Sequence, residues 1–159
     1  MKKWMMATMA ITALLFAGAC GNTTTDKPKQ TKTSTTKEDT KVTEHVTKTV
    51  NNIDMKVGTI KTTESTKKDT NMVSIAMSFV NNDNAPVGVG AADFKIKAGD
   101  KTYTVYPQGN NFGDEFKPGE TLKGNAYFEL PNTITKGTLV YQPLKKEEAS
   151  WSIEIPAAK

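Results

Sequence analysis

The chain carries one thiol, Cys20. It follows three small residues, Ala17-Gly18-Ala19, and an uncharged, mostly apolar run from Trp4 to Phe16 that begins after Lys2 and Lys3. A thiolate is a nucleophile, and this one stands where a peptidase that admits small side chains would cut, between Ala19 and Cys20. A positive start, an apolar core and small residues before a cut site are the parts of a secretory signal peptide. The run is shorter than the ~20 apolar residues that span a bilayer. A cleaved signal over residues 1–19 is therefore expected, not a retained transmembrane helix.

The other reactive side chains are sparse. His45 is the only imidazole and has Glu44 beside it. Acid–base work needs a partner held in geometry, usually in a cleft, so His45 is expected to be exposed and satisfied. No His/Cys cluster has zinc spacing, and neither metal nor cofactor is expected. Asn81-Asn82-Asp83-Asn84 offers oxygen atoms of the kind calcium takes, but without the acidic spacing and closing Glu of a calcium loop. Asn and Asp also dominate ordinary turns, and a turn is the reading here. Gly88-Val89-Gly90 lacks the following helix of a phosphate loop and reads as flexible backbone between strands. The stretch Pro107–Glu120 exceeds the 2–5 residues common in hairpins. It places Asn110, Asn111, Phe112, Asp114 and Glu115 together as a candidate ligand-binding loop, since exposed aromatics among polar groups mark binding surfaces. Phe116, next to a strand-entry turn, is expected to plug the end of the core. Phe112 could plug it too or face a ligand. Asp114 and Glu115 are adjacent and do not converge as a catalytic pair. No catalytic residue is assigned, and the chain is not expected to be an enzyme.

The tetrad Ala17-Gly18-Ala19-Cys20 resembles the lipobox of bacterial lipoproteins, with Ala17 where Leu is usual. That resemblance implies that the Cys20 thiol is alkylated with diacylglycerol and that the chain is cut before it. Acyl chains of the palmitate kind then hold the protein on the extracytoplasmic face of the cell membrane, at ~0.8 kcal/mol per buried CH₂.

These groups need elements to hold them. From Gly21 to Lys41 the chain has eight Thr, many charges and no large apolar residue. It cannot bury enough surface to offset its ordering entropy. Residues 20–41 are read as a lipidated Cys and disordered tether, reaching ~70 Å extended and ~25 Å as a coil. All 21 basic residues are Lys, and the formal charge is +4. The excess lies before residue 51; residues 51–159 hold 13 Lys and 13 acids. Nucleic-acid binding calls for a basic face and Arg forks, so no nucleic-acid partner is expected. A single Cys allows no internal disulfide, leaving residues 42–159 to be held by a hydrophobic core.

Within that domain short alternating runs are separated by turn residues. Ile53, Met55 and Val57 alternate with Asp54 and Lys56. Val73, Ile75, Met77 and Phe79 form the clearest strand, and its other face, Ser74-Ala76-Ser78-Val80, suits a central position. Leu122, Ala126, Phe128 and Leu130 share a face opposite Lys123, Asn125 and Glu129; Leu139, Tyr141, Trp151, Ile153 and Ile155 complete the set. Period-two alternation means strands half buried on one side. The expected fold class is all-β, a sandwich of about 7–9 mostly antiparallel strands.

Residues Asn52 to Ile155 resemble an immunoglobulin-like domain common in lipoproteins of Gram-positive bacteria. That group is of unknown function and is related to a mycobacterial immunoprotective extracellular antigen family. Four pieces carry the likeness: Val73–Asn81, a strand ending in Asn; Phe94–Val105, a hairpin turning at Gly99-Asp100; the turn Lys117-Pro118-Gly119-Glu120 with the strand ending at Pro131; and Leu139-Val140-Tyr141. The resemblance implies a two-sheet sandwich on a lipid anchor and no catalytic residues. The function expected is a membrane-anchored, non-catalytic binding or interaction module, whose partner would be the membrane through Cys20 and an unknown protein or envelope ligand. The alternative is an accessory or structural subunit of a membrane transporter or envelope complex. An envelope hydrolase would need a nucleophile or metal set that the sequence does not offer.

Overall fold

The computed structural model describes residues 45–159. The expected signal peptide, Ala19, Cys20, the tether and the first residues of the expected domain lie outside them. The described elements are strands β1 (Lys48–Val50), β2 (Ile53–Glu64), β3 (Thr70–Asn81), β4 (Val87–Gly90), β5 (Phe94–Ala98), β6 (Lys101–Thr104), β7 (Gly113–Phe116), β8 (Thr121–Pro131), β9 (Lys136–Tyr141) and β10 (Ala149–Glu154). One 3₁₀ turn, Ala91–Asp93, lies between β4 and β5.

The strands form a sandwich. One sheet has the order β1-β2-β3-β8, the other β10-β9-β5-β6, and β4 with β7 makes a two-stranded ribbon. Every pairing is antiparallel. As its two-sided pattern implied, β3 is central, flanked by β2 and β8. Its inward residues Val73, Ile75, Met77 and Phe79 meet Met55, Val57, Ala126 and Phe128 on one sheet and Phe94, Ile96, Leu139, Tyr141 and Trp151 on the other. Burying such a side chain fully contributes about 1.5–3 kcal/mol, so the two inner faces together supply the driving force that one face alone could not.

Turn chemistry fixes the register. Asn51 and Asn52 both have left-handed backbone, at φ 49 and 59, which a two-residue hairpin needs to match strand twist. They join β1 to β2 with Val50 opposite Ile53. Gly99 turns β5 into β6 at φ 57. Lys117-Pro118-Gly119-Glu120 closes with the Glu120 amide on the Lys117 carbonyl at 3.0 Å. Gly119 there has φ 76, as the third position of a type II turn requires, with Pro pre-set at the second.

The structure departs from the expected pattern in two places. In β2 the register slips between Val57 and Ile60. The extra residue is a β-bulge that restores the buried phase, since Ile53, Met55 and Val57 would otherwise leave Ile60 facing out. Gly88-Val89-Gly90, expected to be flexible backbone, instead lies in a strand, Val87–Gly90, paired with Gly113–Phe116. Glycine and short polar runs carry no alternation, so the sequence could not signal either strand. With them the described residues hold ten strands, beside the about 7–9 expected.

Candidate functional site

The residues singled out by type come to rest at several places. Asn81 continues the alternation of β3 by one step and so falls on the buried side, fully enclosed at 0% exposure. Its Nδ2 donates to the Ala85 carbonyl at 2.9 Å and the Phe116 carbonyl at 3.0 Å. Its Oδ1 accepts from the Asp83 amide at 2.8 Å. Its backbone donates to the Glu120 carbonyl and accepts from the Gly119 amide. One side chain therefore joins the Asn-rich turn, the end of β7 and the Lys117–Glu120 turn. The carboxylate of Asp83 accepts from the Asn84 amide and from Asn52 Nδ2. Those two donors hold its pKa below the usual range, the Asn84 amide foremost. The oxygen-rich run is thus a turn knitted to itself, as its composition implied. Among the described residues no three His, Cys, Asp or Glu side chains gather closely enough to hold a metal.

The stretch 107–120 divides rather than presenting one surface. Phe112 turns inward, its ring 5.0 Å from that of Phe79 and 5.9 Å from that of Phe94. It occupies the space that a side chain at 124 would need: a Cβ built on Gly124 would collide with Phe112. Asn111 points the same way in effect, its Oδ1 accepting from the Tyr127 amide at 2.9 Å and its Nδ2 donating to the Tyr106 carbonyl at 2.8 Å. With the Tyr106 amide on the Tyr127 carbonyl and the Phe112 amide on the Asn125 carbonyl, the segment covers the free edge of β8, which would otherwise offer unpaired backbone groups. Phe116 is buried at 4% exposure and plugs the core as expected. Asn110, Asp114 and Glu115 stay exposed, the last two as neighbours on β7 whose side chains alternate.

His45 differs from its expected state. It is half-buried, and both ring nitrogens are shut off from water without a hydrogen-bond partner among the described residues. The Trp151 indole donates to the Val46 carbonyl at 2.8 Å, and Lys48 Nζ lies 5.6 Å above the same ring. These contacts draw the start of the described chain onto the domain.

The two sheets present different outer faces. On the second, Val140 points away from the core yet has 0% exposure. Residues 142–148 return across it, held by Lys95 Nζ on Gln142 Oε1 at 3.3 Å and by a Lys97–Glu147 ion pair at 2.9 Å. Among the described residues no segment crosses the first sheet in this way. Lys56, Ser78 and Lys123 stand in one cross-strand row over β2, β3 and β8. They border a trough of about 390 Å³ floored by Gly58 and Ala76. Lys61, Ser74 and Tyr127 form another row on the same face. Sequence alone could not assemble this set, because membership depends on register and on a bulge.

With this geometry established, comparison with known proteins is informative. A family described as a domain of unknown function, DUF4352, matches residues 35–150. The chain belongs to the DUF4352 family. Three solved structures share its fold. The Bacillus subtilis protein ycdA, described as a "putative lipoprotein", aligns with a TM-score of 0.57 at 18% identity, over 68% of this chain and 38% of its own. The yjhA protein of the same organism aligns at 0.51 and 13%, over 70% and 96%. MPT63, a secreted protein of Mycobacterium tuberculosis, aligns at 0.51 and 15%, over 69% and 92%. This DUF4352 chain thus spans little more than a third of ycdA. At such identities the likeness is one of fold, and at that level the expected relation to a secreted mycobacterial protein is met. No curated protein sequence matches the chain.

Proposed function

We propose that this protein is an extracytoplasmic lipoprotein, anchored through Cys20, whose β-sandwich is a non-catalytic binding or interaction module. The observation that carries the reading is the position of the only thiol, directly after Ala17-Gly18-Ala19 and an apolar segment with a basic start. A DUF4352 domain following it supports the reading, as do fold relatives described as a putative lipoprotein and a secreted protein. The non-catalytic part is supported by where the polar candidates put their hydrogen bonds. Asn81, Asp83 and Asn111 direct them to the protein's own turns and strand edges, so their role is to hold shape.

The test is Cys20→Ala with two readouts. Incorporation of an alkyne analogue of palmitate should be lost, and the protein should leave the membrane fraction or accumulate as an unprocessed precursor. Unchanged labelling, processing and membrane retention would contradict the anchor.

A further inference from the structure

The trough on the first sheet gathers lysines that make no ion pair among the described residues. Lys56 and Lys123 flank Ser78 across three strands. With strands about 4.8 Å apart, the two lysine Cα atoms stand roughly 10 Å from one another, within convergence range of their flexible side chains. Lys61 follows further along the same face. None of the three makes an ion pair among the described residues. The acids on this face stand at its two ends and are engaged. Asp54 accepts from Thr49 at 2.5 Å, and Glu129 accepts from Lys67, Ser65 and Thr70. Lysines and acids balance over residues 51–159, so the central cluster is a local excess and not a share of a basic surface.

The shape narrows the partner. The trough lies over three strands whose backbone groups are already used in the β2–β3–β8 ladders. It therefore offers a peptide none of the main-chain pairing that strand-addition sites use. Being concave between two lysines, it suits a narrow chain better than the flat surface of a bilayer. Its donors are ammonium groups, the Ser78 hydroxyl and the Asn125 amide. Lysine meets phosphate as a point charge without demanding fork geometry, and several donors can share the oxygens of one phosphate.

We infer that the Lys56–Ser78–Lys123 trough binds a linear, phosphate-bearing polyanion, with Lys61 extending the contact along the chain. This deepens the reading of the domain as a binding module and rests on it. The experiment is calorimetric titration of the full-length protein in detergent micelles with short-chain linear polyphosphate. K56Q/K123Q should weaken binding at least about tenfold, and Ser78→Asp, which adds a negative charge between the two lysines, should do the same. K145Q/K146Q removes the same charge from the β9–β10 hairpin and should leave affinity within about twofold. Absence of wild-type binding would overturn the inference, as would equal loss in the two double variants, which would mean attraction by net charge. Tighter binding of a polyglutamate peptide, or of phosphatidylglycerol vesicles to the wild type than to K56Q/K123Q without polyphosphate binding, would overturn the ligand class. The Cys20→Ala result is independent of this titration, so the anchor stands or falls separately from the trough.

Discussion

The two sheets of this sandwich bury similar inner faces and treat their outer faces in opposite ways. Over the second sheet, Val140 is closed from solvent, and Gln142 and Glu147 give Lys95 and Lys97 partners within the chain. Over the first, small side chains leave the surface open, and Lys56, Lys61 and Lys123 find no carboxylate among the described residues. The second face also holds a trough, of about 630 Å³ and bordered by Lys97, Lys136, Ser152 and Glu154, so the contrast lies in charge: carboxylates stand among the lysines of that face, whereas Lys56 and Lys123 border a trough with none.

That contrast can be broken most forcefully at Val140. Replacing it with Asp places a carboxylate in a site with no access to water. The expected cost is ~3 kcal/mol or more, against less than ~0.5 kcal/mol for Ala76→Ser on the open face. Chemical denaturation of the two variants measures the difference, and equal costs would dissolve the distinction between faces. Asn81→Ala should come next. It removes the donors of the Ala85 and Phe116 carbonyls and the acceptor of the Asp83 amide, with an expected loss of about 2–3 kcal/mol. The same denaturation measurement should find this loss even though the substitution leaves both outer faces as they were.

Much of this was legible in the residues. The alternation Val73-Ile75-Met77-Phe79 identified β3 and its central place, and Gly99-Asp100 and Lys117–Glu120 marked real turns. The buried role of Asn81 was available too, by carrying the alternation one residue further. What was hidden depended on distant pairing. The β4–β7 ribbon is too short and glycine-rich to show a period. The bulge in β2 shifts phase without a turn signal of its own. The inward course of Phe112 depends on Gly124, twelve residues on, leaving room for its ring. The trough needs three strands in register before its lysines become neighbours, and Val140 reads as an ordinary strand residue until the segment after it folds back.

Smaller effects follow from titration. Burial, followed by the charges of Asp93 and Glu148, pushes the Tyr141 phenol from 10.0 up to about 12. The folded state then holds its proton while the unfolded chain has lost it. Stability from this group is complete below pH 10 and declines as pH rises toward 12. Tyr141→Phe should flatten that alkaline decline in thermal melts, and an unchanged slope would count against the buried phenol. The acid side runs the other way. The Lys97 contact, then Ser150, holds the Glu147 carboxyl below its ordinary range, so its contribution is present above that range and lost as pH falls through the lowered value. The pair is largely exposed, so Glu147→Gln should leave global stability nearly unchanged. Its sharper readout is amide exchange, which should quicken across residues 142–148 and leave β3 unchanged.

The most direct test of the contrast between faces is photocrosslinking in living cells. A photoreactive residue at Asn125, in the trough, should capture a reproducible non-self adduct, and the same residue at Ser152, on the second sheet, should not. Capture from Ser152 alone, or equally from both, would contradict the assignment of the open face as the working surface.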